Sequence, residues 1–512
     1  MDALSNLGLG FDVAFSWANL AYCLVGVVLG TLVGVLPGLG TVTAISMLLP
    51  FTYGLDPVGA LIMLSGIFYG GLYGGSTASI LLNLPGTPAA AVATLDGYPL
   101  AQQGRAGVPL FMSAISSFVG GCVGLALVMV AAPAIVSIAL EFGPAEYFSM
   151  MLLGLLAAAM AASSSLLRSI GMALVGLLLG LVGMDVVSGM MRFTFGIPIM
   201  AEGISFIIAA MALFGLAEVM TNLEPHIKRG TPRRIAGWRA MMPTRDEARR
   251  SIGAILRGTG LGAFLGALPG AGPTVSSFIA YTVETRVSRE PERFGKGAIE
   301  GVVAPEAANN AAAQTGYIPT LTLGIPGDAV GALILGTLIM HGIAPGPRVI
   351  SSHPDLFWGL LVSMWIGNFL LLWVNIPFIG VWVKILSIPY RILYPAIMIF
   401  LCIGVYSVAN SAFQLILLAG FGAAGYLLTK LDCPASPLLL GLILGPMIEE
   451  NLRRALLLGR GDPMVLLESP ISAGILFVCA ALLLWTAASS FRRKRDGAVG
   501  RTESGQEQSW NA

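Results

Sequence analysis

A carboxylate and three amides lie within an otherwise apolar stretch of this sequence. Residues 301–316 are mostly alanine, valine and glycine, yet they include Glu306, Asn309, Asn310 and Gln314. Polar groups at membrane depth are costly and usually face a cavity. Glu306 and Asn310 are four residues apart and so share one helix face. Their oxygens suit a hard cation such as Na⁺, while amide donors suit a carboxylate substrate. The alternative is hydrogen bonding that only holds helices together.

Two Pro-Gly-x-Gly elements predict broken helices. Proline lacks a backbone donor and glycine frees the backbone torsions, so a helix arriving at Leu36 or Leu268 must break there. The half-helix that follows presents free N–H groups and a positive dipole end, which can bind an anion without any arginine. A simple kink or a tight loop at the membrane face is the alternative. The two elements are Gly34-Val-Leu-Pro37-Gly38-Leu-Gly40 and Gly266-Ala-Leu-Pro269-Gly270-Ala-Gly272, followed by hydroxyl residues that include Thr41 and Thr274.

A second pair of breaks follows further along the chain, at Leu84-Pro85-Gly86-Thr87 and at Ile325-Pro326-Gly327-Asp328. The first is preceded by a stretch of small and hydroxyl residues, 69–79, that leads to Asn83. Close helix packing alone explains many of these small residues. The hydroxyl groups near the break are the better candidates for binding, and Asp328 is a further intramembrane acid.

These patterns predict two sets of functional residues. We expect substrate binding by Pro37, Gly38, Gly40, Thr41, Ser76, Thr77, Asn83, Pro85, Gly86, Thr87, Pro269, Gly270, Gly272, Thr274, Asn309, Asn310, Pro326 and Gly327. We expect ion coupling by Glu306, Asn310, Gln314 and Asp328. No catalytic residue and no metal site is predicted.

The composition requires a membrane around these elements. Of 512 residues, 56% are hydrophobic and only 11% are charged, whereas a soluble protein carries roughly 25% charged residues. The 65 glycines and 30 prolines lie inside long apolar runs, where membrane helices tolerate them. The sequence therefore predicts an all-α polytopic membrane protein with about 11–14 membrane segments, some of them broken or re-entrant.

The charges predict the orientation and the division of the chain. No lysine or arginine precedes Arg105, but residues 223–250 hold eight basic and three acidic residues, and residues 492–495 are all basic. By the positive-inside rule we expect the central loop and the C-terminus to be cytoplasmic. A basic loop could also bind nucleic acid, but the membrane spans on both sides disfavour that alternative. The predicted parts are a first membrane half at 1–222, a basic linker at 223–250, a second membrane half at 251–491 and a tail at 492–512.

The two halves are predicted to be repeats. The Pro-Gly-x-Gly elements are 232 residues apart and the second pair of breaks is 241 residues apart, in the same order. If the linker is cytoplasmic, the second repeat begins inside. The first begins with Asp2 and Asp12 and no basic residue, which favours the outside. Inverted repeats of this kind are common in secondary transporters.

Other chemistries have weaker support. No GxxxxGK[ST] element is present, so the chain does not use ATP directly. Gly459-Arg-Gly-Asp462 matches the GxGD pattern of intramembrane enzymes but lies in a charged loop. A passive anion channel would need a carbonyl filter or a charged ring.

Residues 449–454 form two i,i+4 Glu–Arg couples, typical of a solvated amphipathic helix. No cofactor is predicted, and five scattered cysteines without CxxC spacing predict neither disulfides nor a metal site.

Several of these motifs together resemble one transporter family. The two Pro-Gly-x-Gly copies, Tyr69-Gly-Gly-Leu-Tyr-Gly-Gly-Ser-Thr77, Leu84-Pro-Gly-Thr-Pro88 and Ala304-Pro-Glu-Ala-Ala-Asn-Asn310 are similar to the large permease subunit (TctA-like) of the tripartite tricarboxylate transporters. The resemblance runs from about residue 15 to residue 490, leaving only the two tails outside it.

The resemblance implies a secondary transporter in the bacterial inner membrane that imports citrate or related carboxylates. It also implies a small four-helix membrane subunit, a periplasmic solute-binding protein and a Na⁺ or H⁺ gradient as the driving force. Basic residues that could balance a tri-anion within the membrane are few, since Arg257, Arg348 and Arg391 lie near span ends. We therefore expect helix N-termini and coupled cations to offset the charge of the substrate.

Overall fold

The computed structural model describes residues 3–36, 39–139, 142–161, 165–185, 188–223, 238–268, 272–386 and 390–484. Half of the predicted linker, residues 224–237, and the whole C-terminal tail therefore lie outside the described residues. Within these ranges the chain is almost entirely helical, apart from a short antiparallel hairpin of β1 (Gly183–Met184) and β2 (Met191–Arg192). The predicted all-α fold class is confirmed.

The helices of the first half are α1 (Ala3–Ala14), α2 (Trp17–Val35), α3 (Thr41–Thr52), α4 (Pro57–Leu82), α5 (Ala93–Leu100), α6 (Gly107–Ala139), α7 (Pro144–Ala161), α8 (Leu166–Gly180), α9 (Phe206–Ala210) and α10 (Ala217–Asn222). A π-helical segment, Met211–Leu216, joins α9 to α10 without a break. A short 3₁₀ helix, Pro88–Val92, precedes α5.

The helices of the second half are α11 (Arg245–Gly266), α12 (Gly272–Val287), α13 (Glu300–Thr315), α14 (Ala329–Met340), α15 (Arg348–Ser352), α16 (Pro354–Asn375), α17 (Ile379–Ile385), α18 (Tyr390–Ala409), α19 (Ala412–Lys430), α20 (Ala435–Leu458), α21 (Val465–Glu468) and α22 (Pro470–Leu484). Another π-helical segment, Ile318–Leu323, follows α13.

Five helices are long and apolar enough to cross a membrane, namely α2, α4, α6, α16 and α19. Shorter apolar helices accompany them, including α3, α8, α14 and α22. Large apolar side chains are exposed on the outer helices, such as Phe369 at 58% and Leu484 at 72%. An apolar exterior of this kind fits a lipid bilayer as solvent, because lipid tails are as apolar as these side chains. The chain is therefore a membrane-embedded, multi-pass protein.

The centre of the bundle is formed by α4 and α13. Nearly every residue of α4 is buried, and all sixteen residues of α13 are buried. Small residues allow this, because they let helix backbones approach closely where no hydrophobic effect drives association. The predicted polar residues Ser76, Glu306 and Asn310 thus lie on two enclosed helices.

Glycines at four-residue spacing pack α2 against α4 and α11 against α13. A Cβ atom on any of them would lie closer to a carbonyl oxygen of the facing helix than carbon and oxygen can approach. The glycine and carbonyl pairs are Gly26–Met63, Gly30–Ile67 and Gly34–Gly71 in the first half, and Gly258–Ala304, Gly262–Ala308 and Gly266–Ala312 in the second. The two sets are offset by 232 residues on the glycine side and 241 on the carbonyl side, as the sequence motifs are.

The Glu–Arg couples near the end of α20 belong to a larger ionic network. Arg453 contacts Glu449 at 2.6 Å, as the i,i+4 spacing predicts, and also Asp185 at 3.1 Å. Arg192 on β2 donates two hydrogen bonds to the Glu449 carboxylate, at 2.8 and 3.1 Å. The predicted Glu449–Arg453 pair is thus only partly solvated, with side chains 23% and 36% exposed, and it contacts Asp185, whose side chain is 8% exposed. Arg454 and Glu450 do form a surface pair.

Candidate functional site

Both Pro-Gly-x-Gly elements interrupt a helix, as predicted. In the first half α2 ends at Val35, and α3 begins at Thr41 with Gly40 as its N-cap. In the second half α11 ends at Gly266 and α12 begins at Gly272. The four residues Pro37, Gly38, Pro269 and Gly270 lie outside the described residues. Each interruption leaves the unbonded N–H groups of a new helix inside the bundle.

The second pair of breaks also starts new helical segments. Thr87 caps the 3₁₀ helix that begins at Pro88, and its hydroxyl accepts a hydrogen bond from the Ala90 N–H at 3.3 Å. Asp328 caps α14, and its carboxylate accepts from the Gly331 N–H at 2.8 Å. Thr87 and Asp328 are 241 residues apart and therefore have the same capping role in each half.

All four breaks meet at one cavity of about 390 Å³, which we call the central cavity. The start of α3, of α12 and of α14 line it, together with the turn at Thr87. Small-molecule sites are typically about 300–1,000 Å³, so the volume suits a small organic molecule. The central cavity therefore brings together predicted residues from both halves, which are Gly40, Thr41, Thr87, Gly272, Thr274, Gly327 and Asp328.

The central cavity offers hydroxyl groups and carboxylates but no basic side chain among its described lining residues. Its hydroxyl groups come from Thr41, Thr43, Thr87, Thr274 and Ser436. Its acids are Glu218 and Asp328, and Phe68, Leu72, Phe214 and Leu440 are among its apolar walls. An anion bound here would be held by helix N-termini and hydroxyl donors, with cations or protons balancing the two acids.

Each of the two half-helices already faces a carboxylate of the protein. The position that a Cβ would take on Gly40, before α3, is 3.9 Å from both Glu218 carboxylate oxygens. The corresponding position on Gly272, at the start of α12, is 3.7 Å from an Asp328 oxygen. Negative groups are stabilised at the N-terminus of a helix by its dipole. A substrate carboxylate would therefore enter a space that these acids adjoin.

Glu218 is held through Thr43. The Thr43 hydroxyl is 2.8 Å from the Phe214 carbonyl oxygen and is also hydrogen-bonded to a Glu218 carboxylate oxygen. Phe214 lies in the π-helical segment between α9 and α10. Such segments are frequent at functional sites, where they displace backbone groups from the regular helical pattern.

A second and larger cavity of about 640 Å³ adjoins Glu218, and we call it the outer cavity. It is lined by α8, by α10 and by the turn before α20, and it shares Phe214, Glu218 and Pro434 with the central cavity. Arg168 and Asp432 form an exposed ion pair at its edge, at 3.6 Å. Glu218 therefore lies between the central cavity and a more open space.

Glu306 lies in a separate buried cluster. Its carboxylate accepts hydrogen bonds from Ser76 at 2.7 Å, from Ser117 at 3.3 Å and from the Asn309 amide at 3.4 Å. Asn310 donates to the Glu306 backbone carbonyl at 3.1 Å. The Glu306 side chain is 1% exposed, and it does not line either of the two cavities. The predicted face of Glu306 and Asn310 thus points into packed helices.

The other predicted residues have varied surroundings. Gln314 is buried on α13, and its Oε1 atom has no hydrogen-bond partner. Thr77 lines a small separate cavity beside Tyr73. Asn83 ends α4 in a left-handed conformation, with φ 58°, and is exposed. Pro85 is exposed, whereas Pro326 is buried. A Cβ on Gly86 would clash with the Gly34 carbonyl oxygen, so this glycine serves close packing.

The predicted set of binding and coupling residues omits Glu218, Thr43 and Ser436, which line the central cavity. Glu218 is the only charged residue in the apolar stretch 203–222, and such a residue within a membrane segment is by itself a functional signal. Thr43 follows the first break by three residues and could have been included with Thr41. Nothing near Ser436 in the sequence marks it as a lining residue.

Comparison of the sequence with known proteins identifies a family and two similar proteins. The sequence model of the Tripartite tricarboxylate transporter TctA family matches residues 20–440. An uncharacterised 52.8 kDa protein in the TAR-I ttuC′ 3′ region of Agrobacterium vitis is 51% identical over 498 residues, 97% of this chain and 98% of that protein. An uncharacterised protein in the TAR-II ttuC′ 3′ region of the same organism is 52% identical over 235 residues, 46% of this chain and 97% of that protein.

No solved structure matches the chain. The family match covers most of the described membrane helices, including every helix that starts at the central cavity. The chain therefore belongs to the TctA family of tripartite tricarboxylate transporters, of which it is a large membrane subunit.

Proposed function

We propose that the chain forms the pathway by which a citrate-like carboxylate is imported across the bacterial inner membrane, driven by a Na⁺ or H⁺ gradient. The observation that carries this proposal is the central cavity. There the N-termini of α3, α12 and α14 converge with threonine and serine hydroxyl groups, in a volume of about 390 Å³. Convergent helix N-termini with hydroxyl groups form an anion site.

Energy coupling is supported by the two acids of the same cavity. Glu218 and Asp328 would repel a bound carboxylate if both were ionised and unbalanced. A coupled cation or proton removes this repulsion, so that anion and cation bind together. Since none of the described lining residues has a basic side chain, the bound cation or proton is the group that balances the charge of the two acids. In this proposal Glu306, Asn310, Gln314 and Asp328 contribute to ion coupling, and Asn309 with Ser76 positions Glu306.

We further propose the partners and the orientation of the transporter. A periplasmic binding protein delivers the substrate, and a small four-helix membrane subunit completes the complex, as the family's tripartite organisation implies. In this proposal the linker and the C-terminus are cytoplasmic, which the basic residues of 223–250 and 492–495 support. The matched glycine packing and the matched caps Thr87 and Asp328 support two repeats, and the charge asymmetry favours an inverted arrangement of them.

Uptake in reconstituted vesicles tests the proposal. The vesicles would hold this chain, its small membrane subunit and its binding protein, and radiolabelled citrate would be added without ATP. We expect citrate to accumulate above its external concentration when a Na⁺ or pH gradient is imposed. Entry that only equilibrates citrate would favour a passive anion channel instead. If the intact complex accumulates neither citrate nor succinate nor an aromatic acid under either gradient, the proposal is wrong.

A further inference from the structure

The Thr43 hydroxyl group takes part in two hydrogen bonds but has only one proton to donate. Its hydroxyl oxygen is bonded to the Phe214 carbonyl oxygen, at 2.8 Å, and to a Glu218 carboxylate oxygen. A hydroxyl group has one donor and two acceptor sites, whereas a carbonyl oxygen and an ionised carboxylate only accept. A protonated carboxyl group, by contrast, can donate. Both bonds form if Glu218 carries a proton and donates it to Thr43, while Thr43 donates to Phe214.

The position of Glu218 allows that proton to be exchanged. Its side chain lines the central cavity, beside Thr41 and the start of α3, and also the outer cavity, beside Asn222 and Arg168. A group that faces both spaces can take up a proton from one and release it when the other is open. Glu306, in contrast, is enclosed and lines neither of them.

We propose that Glu218 binds the proton that is co-transported with the carboxylate, which rests on the proposed function above. Without the proton, the Glu218 carboxylate faces the N-terminus of α3 and repels a substrate carboxylate from it. Proton binding neutralises Glu218, so the substrate can use that helix end. The proton stays on the Glu218 carboxyl group while substrate is bound, and both leave on the cytoplasmic side.

The other ionisable groups around Glu218 have defined partners or positions. In the outer cavity, Arg168 pairs with Asp432 at 3.6 Å, and Cys433 follows in the same turn. In the central cavity, Asp328 accepts the Gly331 N–H at 2.8 Å and so caps α14. Glu218 instead bonds to a neutral hydroxyl group. Among these groups, Glu218 is the one whose hydrogen bonds are completed by protonation.

The test uses the reconstituted complex of this chain, its small membrane subunit and its binding protein, with radiolabelled citrate and a pH-sensitive dye inside the vesicles. In the wild type, an acid-outside gradient should drive citrate accumulation, and citrate should bring protons with it. Glu218→Gln should reduce this accumulation by about tenfold or more and abolish citrate-dependent proton entry. Exchange of internal for external citrate should fall much less. Glu218→Asp, which keeps a titratable group, should retain proton entry with an altered pH dependence.

The matched control is Glu450→Gln, because Glu450 is a surface residue on α20 paired with Arg454. It should leave proton-coupled uptake as in the wild type. Citrate-dependent proton entry that persists in Glu218→Gln overturns the proposal. If Glu218→Gln does not assemble, as judged by size-exclusion chromatography, Glu218→Asp decides, and an unchanged pH dependence then overturns it.

The outcome also separates this inference from the function on which it rests. If wild-type vesicles accumulate citrate under a Na⁺ gradient, with no proton entry, the transport function holds and the role of Glu218 is wrong. If they accumulate no carboxylate under any gradient, the proposed function itself fails, and the proposal for Glu218 fails with it.

Discussion

Ser76 on α4 donates a hydrogen bond of 2.7 Å to Glu306 on α13, across 230 residues of sequence. A second bond of 2.7 Å joins α4 to the residue just before the π-helical segment that follows α13, between the hydroxyl groups of Ser65 and Tyr317. Ser65 precedes Glu306 by 241 residues, and Ser76 precedes Tyr317 by 241 residues. The two bonds therefore occupy equivalent positions in the two halves, as the predicted duplication requires. Only one of the bonds contains a carboxylate.

This equivalence provides a matched pair for testing Glu306. Glu306→Gln removes the charge, and Ser65→Ala removes one hydrogen bond at the equivalent position. If Glu306 takes part in ion coupling, Glu306→Gln should change which ion gradient drives citrate uptake, or how strongly it does so, since the amide is neutral. Ser65→Ala should leave the ion dependence as it is. An ion dependence that Glu306→Gln does not alter would exclude Glu306 as a coupling residue.

Variants of Thr274 and Thr282, both on α12, distinguish a loss of substrate binding from a general effect of a substitution in that helix. Thr274 lines the central cavity, whereas the Thr282 hydroxyl donates to the Phe278 carbonyl on the exposed face of the helix. Thr274→Val should raise the KM for citrate about fivefold, the effect of losing one hydrogen bond worth about 1 kcal/mol. Thr282→Val should change it little. Equal KM values in the three proteins would exclude a contact between Thr274 and the substrate.

Close glycine packing predicts a large difference between two neighbouring glycines of α11. A Cβ on Gly262 would overlap the Ala308 carbonyl oxygen, whereas a Cβ on Gly260 would meet nothing within 4 Å. Gly262→Ala should lower the free energy of unfolding by about 1–3 kcal/mol, because it forces α11 away from α13. Gly260→Ala should be neutral, or stabilising by up to about 1 kcal/mol, from its helix propensity. Thermal unfolding in detergent measures both, and a Tm unchanged by Gly262→Ala would contradict this packing.

The capping box at the start of α11 predicts a dependence of stability on pH. Burial raises the pKa of Glu247, but hydrogen bonds from Arg105 and Thr244 and the charge of Arg105 outweigh it, and the pKa falls to about 2. The Arg105 guanidinium group makes a bidentate contact with the Glu247 carboxylate, with nitrogen–oxygen distances of 2.8 and 2.9 Å. Since the folded-state pKa is below the ordinary 4.5, the ionised form stabilises the fold above that pH. This stability is lost as the pH falls towards about 2.

Glu247→Gln is the variant that measures this contribution. At neutral pH it should be less stable than the wild type by about 1 kcal/mol, a value reduced for the solvent exposure of Arg105. The difference should shrink as the pH falls below the ordinary value of 4.5. Asp246→Asn is the control, because Asp246 is the neighbouring acid and its side chain is 75% exposed. A difference between Glu247→Gln and wild type that stays constant with pH would contradict the shifted pKa.

The main features of the fold follow from the sequence for local reasons. Proline has no N–H group and glycine adopts conformations closed to other residues, so α2 and α11 end where the Pro-Gly-x-Gly elements begin. The low fraction of charged residues requires a bilayer, whatever the packing. The half-helices α3 and α12, with Thr41 and Thr274 in their first turns, were predictable for the same reasons.

Tertiary structure alone decided which residues line the central cavity. Thr43 and Glu218 are 175 residues apart, and no periodicity in the sequence relates them, because their contact depends on how α3 packs against the π-helical segment before α10. Glu306 and Thr87 both lie in stretches that the sequence marks as polar. Glu306, on α13, is enclosed by α4 and α6, whereas Thr87 lines the central cavity. The sequence by itself determined where helices break and which residues are polar at membrane depth. Only the packing of the two halves determined which of those polar groups share a space, since that depends on distances between helices that are remote in the chain.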